Sequence, residues 1–151
     1  MKFISHRGNL YGPNTSEENS PTYIESTLKK GFDVEIDIWM IGSNLFTGHD
    51  QPIYKISEKF IQTYSSQLWL HCKNLDSLKL SQDGNFNCFM HNRDDAVFTS
   101  KGYIWHHSNN IKISSDVCLT TRSILAYPEK AIFKNSLPDI YGLCTDYIFE
   151  L

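Results

Sequence analysis

The chain lacks any apolar run near the roughly 20 residues that a membrane-spanning helix needs, so no span is expected. Its start, MKFISHRG, also lacks the apolar stretch of a signal peptide, and cytoplasm is the expected location. There is no basic excess. A net charge of −3 gives no electrostatic reason to expect nucleic acid as a partner, so an anionic ligand must be held by local groups rather than a global field. Cysteine is scarce: four residues, none in CxxC spacing, three of them inside apolar strand-like runs that suit buried free thiols. No repeat, low-complexity tract or linker interrupts the 151 residues, which predicts one domain over 1–151. With 40% apolar and 21% charged residues, the balance is globular rather than disordered.

What is present is a rhythm of strands and helices. Residues 2–5 are rich in β-formers and end at His6-Arg7-Gly8. Ser20 and Pro21 announce a helix as N-cap and first helical residue, and Gly31 stops it. In 32–38, Phe32, Val34, Ile36 and Ile38 alternate with Asp33, Glu35 and Asp37, a strand with one apolar and one carboxylate face. Gly42-Ser43-Asn44 turns the chain into 45–47, which ends at Gly48-His49-Asp50. Helices are expected at 57–64 and 75–80, and strands at 68–72, 87–90, 103–105, 116–119 and 141–144. Alternating strands and helices, with polar residues at strand ends, predict an α/β fold with a mostly parallel sheet. A full (β/α)8 barrel takes about 250 residues, so the expectation is a shortened or irregular TIM-like barrel with chemistry at one rim.

Several residue types at those strand ends carry chemistry. Glu35 and Asp37, two apart on a strand, project from the same face. Two buried carboxylates that close repel each other, and a hard divalent cation resolves the repulsion. His6 and His49 end other strands, beside Arg7 and Asp50. Imidazoles move protons near neutral pH, and a guanidinium grips phosphate oxygens with its planar fork. Together they make a kit for phosphodiester cleavage. His91, Asp94 and Asp95 form a polar cluster that also suits a solvated turn, while His106 and His107 follow Trp105 at a strand end.

HRG (6–8), ENSPTYIESTLKKGFDVEIDIW (18–39) and GHDQP (48–52), in that order, resemble the glycerophosphodiester phosphodiesterase family. They also look like the related spider-venom phospholipase D enzymes, within the phosphatidylinositol-phospholipase-C-like superfamily. The likeness covers about the first third of the chain, with fainter extensions at Cys72-Lys73 and GLCTDY (142–147). It implies His6 and His49 as the acid–base pair, Glu35 and Asp37 as metal ligands, and Arg7 and Lys73 as phosphate contacts. Glu18 and Asn19 occupy the family's acidic-Asn loop, and Trp105 and Asp146 are candidates for the pocket or its support. The implied cofactor is one divalent ion, Mg²⁺ or Ca²⁺, with Mn²⁺ also suited. The implied partner is a small phosphodiester, cleaved by hydrolysis or transphosphorylation. Where the family places an acidic third ligand two residues before the lysine, this chain has His71, a softer donor. The alternative is a barrel-derived module that binds a phosphate-bearing ligand without turnover, favoured by the short chain and His71.

Overall fold

The computed structural model describes residues 1–107, 118–126 and 139–151. Its first strand, β1 (Lys2–His6), is paired on both edges: with β2 (Asp33–Ile41) and, through residues 2–5, with β10 (Gly142–Thr145), both parallel. β2 is long enough to serve three neighbours. It pairs with β1 near its start, with β3 (Asn44–Thr47) antiparallel near its end, and with β5 (Leu68–Cys72) in parallel. β4 (Tyr54–Ile56) follows β3 antiparallel, and β6 (Cys88–Phe89) follows β5 in parallel. On the other side, β10 pairs with β9 (Ser123–Ala126), β9 with β8 (Ile104–His107), and β7 (Ala96–Phe98) lies antiparallel on β8.

This curled half-barrel of mixed strands corrects the TIM-like expectation. The described residues are 33% strand and only 20% helix, and among them the regular strand–helix alternation of a (β/α) barrel is missing. Among the described residues, α1 (Pro21–Leu28), α2 (Glu58–Thr63) and α3 (Leu75–Asp83) all precede β6. Two strand pairings at the start and one at the end of the sheet are antiparallel, and among the described residues β6 pairs with β5 alone and the sheet does not close. The physical reason is length: each parallel crossover needs a dozen or more residues, which the segment joining β6 to β8 spends on a hairpin strand.

Local signals explain where the helices sit. Ser20 Oγ accepts from the Tyr23 amide at 3.3 Å, Ser57 Oγ from Phe60 at 3.1 Å, and Asn74 forms a capping box with Ser77. The helix expected over 75–80 runs on through Ser81 to Asp83 and ends at Gly84, because the polar last turn keeps the hydrogen-bond ladder after the apolar pattern stops. β4, β7 and β9 were not expected. Of the strand expected at 116–119, Asp116 and Val117 lie outside the described residues, and Cys118 and Leu119 form no strand. Among the described residues no helix is long and apolar enough to cross a membrane.

The period-two alternation builds apolar clusters on both faces of the sheet. Val34, Ile36 and Ile38 of β2, with Leu68, Leu70 and Cys72 of β5, pack against Ile24 and Leu28 of α1 and Ile61 of α2. On the concave face, Ile4, Trp69, Phe89, Trp105, Ile124 and Cys144 pack together and form the floor beneath the polar strand ends. Ile36 is fully buried at the centre of the helix-side cluster. Ile36→Ala should therefore cost about 2–5 kcal/mol, read as a lower denaturation midpoint with an unchanged denaturant slope.

Candidate functional site

Because β1, β2, β5, β6, β8, β9 and β10 run parallel, their C-terminal ends meet on one side. There they enclose a cavity of about 240 Å³ whose lining includes His6, Arg7, Glu35, His49, His71 and Trp105. Alternation decides which residues reach it. Trp105 and His107 line the cavity, whereas His106 between them turns away to Ser123, its Nε2 lying 3.0 Å from the hydroxyl.

The turn after β1 is held in a conformation few residues adopt. Arg7 has φ +57°, and Gly8 follows at φ +98°, where an added Cβ would stand 2.6 Å from the Tyr23 ring. Asn19 is also left-handed at φ +63°, which asparagine tolerates better than most residues. Backbone bonds hold this geometry: the Arg7 amide donates to Glu35 O at 2.9 Å, and the Asn19 amide donates to Arg7 O at 3.0 Å. Left-handed backbone at two non-glycine positions, Arg7 and Asn19, each held by surrounding bonds, is typical of functional sites.

Asp37, with no exposure to water, is the hub. Asn19 embraces it twice: Nδ2 donates to Oδ2 at 2.9 Å, and Oδ1 accepts the Asp37 amide at 3.0 Å. Arg7 Nε lies 3.1 Å from Oδ2, while His71 Nδ1 and Lys73 Nζ lie 2.9 and 3.4 Å from Oδ1. Burial alone would push this carboxyl upward, but the imidazoles of His49 and His71 and the Arg7 guanidinium hold it well below the usual carboxylate range.

A second network supports His6. Its Nδ1 lies 2.9 Å from Asp146 Oδ1, and since an ionised carboxylate only accepts, His6 donates from Nδ1 and leaves Nε2 for the cavity. Asn9 Nδ2 donates to the same Asp146 oxygen at 2.7 Å and to Glu18 Oε1 at 2.9 Å. Glu18 in turn accepts from Arg7 Nη1 at 3.2 Å. Burial lowers the His6 pKa, but the bond to Asp146 and the charge of Glu35 outweigh it and raise it overall. Arg7 Nη2 lies 2.6 Å from His49 Nδ1. Asp37 Oδ2 lies 3.3 Å from the same Nδ1, so this nitrogen accepts from Arg7 when the ring is neutral at Nδ1 and donates to Asp37 when it is protonated there.

Glu35, Asp37 and His71 are all buried, and their ligand atoms lie within 4.8 Å of one another. Among the described residues, Glu35 Oε2 and His71 Nε2 make no hydrogen bond, while Asp37 Oδ1 is ion-paired with His71 Nδ1 and Lys73 Nζ. Buried polar atoms left unbonded are costly, and a cation among them would remove that cost. The donor set of two carboxylates and one imidazole fits a divalent metal. Without one, His71 takes the positive charge itself: burial lowers its pKa, but Asp37 and Glu35 raise it to about 9.

Of the residues singled out in the sequence, His6, Arg7, Glu35, His49, His71 and Trp105 line the cavity, while Asp37 lies beneath them. Lys73, Glu18, Asn19 and Asp146 contact those residues from behind. Arg7 faces Glu18, Asp37 and His49 with its three nitrogens, so it reaches a phosphate only by exchanging one of these partners. Sequence reasoning missed Asn9, whose clamp on Glu18 and Asp146 had no signal beyond its place after HRG. It also left His91 and His107 unassigned. Burial pushes His91 down to about 3 and lowers His107 as well, and the charge of His71 adds to both. No family model, curated protein or solved structure matches this chain.

The charge on His71 has a consequence for stability. A group whose folded pKa is raised from about 6.5 to about 9 contributes stability that is full below about pH 6.5 and lost as pH rises through 9. In chelator-treated protein, wild type should lose stability relative to His71→Phe between those limits, on the order of 3 kcal/mol. Comparing the two proteins separates His71 from Cys88, which also titrates in this window. Parallel unfolding curves at pH 6.5 and 9 would show that His71 does not carry the charge.

Proposed function

We propose that this chain is a metal-dependent phosphodiesterase of the kind its motifs resemble, cleaving a small phosphodiester by hydrolysis or transphosphorylation. The observation that carries the reading is a single one. His6, Arg7, Glu35, His49 and His71, drawn from four separate segments, face one cavity beside the buried donor group of Glu35, Asp37 and His71. Glu35, Asp37 and His71 would hold the cation, which when bound neutralises charge on the phosphoryl oxygens. Arg7 orients the phosphate through its planar fork. His6 accepts the nucleophile's proton at Nε2, because Asp146 keeps its other proton on Nδ1 and stabilises the imidazolium that forms. His49, when it carries both ring protons and turns Nδ1–H to Asp37 Oδ2, gives its Nε2 proton to the leaving oxygen as the P–O bond breaks and becomes neutral.

A second reading, phosphate binding without turnover, has its own support in the engagement of Arg7 by Glu18, Asp37 and His49. Hydrolysis of bis(p-nitrophenyl) phosphate with and without added Mg²⁺ or Mn²⁺ separates the two. The enzyme reading expects metal-dependent turnover that falls about 10²- to 10⁴-fold in His6→Ala and in His49→Ala. Its rising pH limb should lie above 6.5, because the His6 pKa is raised. Phosphate binding with no turnover at any pH selects the second reading.

Metal binding is checked apart from activity. Added Mg²⁺ or Mn²⁺ should raise the melting temperature of the wild type, and Glu35→Gln should remove most of that shift while leaving the Asp37 network in place. His71→Glu should move the preference from Mn²⁺ toward Mg²⁺, since a hard carboxylate replaces a softer imidazole. An unchanged Mg²⁺ to Mn²⁺ affinity ratio would put His71 outside the coordination shell.

A further inference from the structure

The three buried cysteines are not equivalent. Cys144 belongs to the concave-face cluster with Ile4, Trp69 and Trp105, where burial pushes its thiol well up. Cys72 and Cys88 belong instead to the helix-side cluster, on neighbouring strands. β5 and β6 run parallel with Leu70 opposite Cys88. Alternation puts Cys72 on the same face as Leu70, one pleat further along, so the two thiols are diagonal neighbours. They are close enough to hydrogen-bond each other. The phosphodiester chemistry described above uses neither of them.

The surroundings of the pair favour a bond between the sulfurs. Cys72 Sγ is otherwise held only weakly, 3.6 Å from Ser81 Oγ and 3.8 Å from Leu70 O, so little is lost when its S–H is replaced. Cys88 is the better nucleophile of the two. The bond from Cys72 brings its thiol down to about 6 against the effect of burial, and Ser100 and Lys101 add to the lowering. Both residues are only 1% exposed, so reaction with a solute waits on a local opening. β6 supplies that opening: it has two residues and, among the described residues, pairs with β5 alone. So short an edge strand opens far more readily than the centre of the sheet. Burial therefore sets the rate of the reaction and not its outcome.

We propose that Cys72 and Cys88 are a redox-active pair that closes to a disulfide when the protein meets a hydroperoxide, locking β6 onto β5. The Cys88 thiolate attacks one peroxide oxygen; an S–O bond forms, the O–O bond breaks and hydroxide leaves. Cys88 is then a sulfenic acid. The Cys72 sulfur attacks the Cys88 sulfur; the S–S bond forms, the S–O bond breaks, and the oxygen departs as water with the Cys72 proton. The two thiols together give two electrons to the peroxide. Cys72 lies between His71 and Lys73, and Cys88 precedes Phe89, so the lock stiffens the wall of the cavity from behind without touching the groups in it. The inference stands apart from the phosphodiesterase reading.

The test uses the full chain carrying Cys118→Ser, which removes the exposed thiol. The folded protein is treated with excess hydrogen peroxide, alkylated, digested and mapped by mass spectrometry. Two thiols should disappear together, a peptide linking Cys72 to Cys88 should appear, and dithiothreitol should restore both while Cys144 stays reduced throughout. Amide exchange over 86–89 should slow at least about tenfold in the oxidised protein, since a cross-link closing a short loop restricts opening of β6. Cys72→Ser should hold Cys88 as a sulfenic acid that dimedone traps, and Cys88→Ser should leave Cys72 reduced. Retention of both thiols by the folded protein overturns the inference without needing either of these variants. So does a cross-link that forms only in urea, or oxidation of Cys88 to sulfinic acid with no cross-link. A cross-link that leaves amide exchange over 86–89 unchanged overturns the lock.

Discussion

An ionised carboxylate with no access to water must be surrounded by partners, and the site is arranged around that requirement at Asp37. Removing one partner of a buried ion pair typically costs about 3–5 kcal/mol, because the remaining charge is left uncompensated. The partners come from distant parts of the chain: Arg7 after β1, Asn19 before α1, His49 after β3, and His71 and Lys73 at the end of β5. Satisfying one charge therefore fixes the relative positions of four segments. It also accounts for the left-handed backbone at Arg7 and Asn19, since relaxing either would withdraw a partner from Asp37.

The curled sheet makes this convergence affordable. β2 is bordered by three strands, so the main-chain ladders on both sides hold Glu35 and Asp37 rigidly at the cavity edge. Its opposite face is apolar and anchored by α1 and α2. Each strand thus divides its residues by alternation: one face supplies burial, the other brings polar groups to the rim. The site is polar where the sheet ends and apolar beneath, with Trp105 and Cys144 as floor. Such a floor excludes water and strengthens every charge interaction above it.

Much of the first half was legible because its signals are local. The Ser20-Pro21 cap, the alternation in β2 and the apolar run of β5 each depend on neighbours within a few residues. Glu35 and Asp37 could be placed together because a strand has a fixed period. The barrel expectation failed for a different reason. It extended a strand–helix rhythm into a region where β7 folds back antiparallel on β8 and, among the described residues, β6 finds no partner beyond β5. Strand partners depend on contacts across long stretches of sequence, which no local pattern reports. His91 and His107 were passed over likewise, because single histidines in a polar stretch show nothing of a stack formed between segments 15 residues apart or more.

What the sequence by itself determined is which face of each early strand bears which chemistry. Alternation is covalent geometry and needs no tertiary contact, so His71 and Lys73 are committed to one face and Leu70 and Cys72 to the other. The tertiary structure alone decided which of those faces meet. It brought Asp146 to His6 across 140 positions and Asn9 to Asp146 across 137. It also set three imidazoles into one row. Those distances depend on how far the sheet curls and where it stays open, and that is settled by packing between strands remote in the chain.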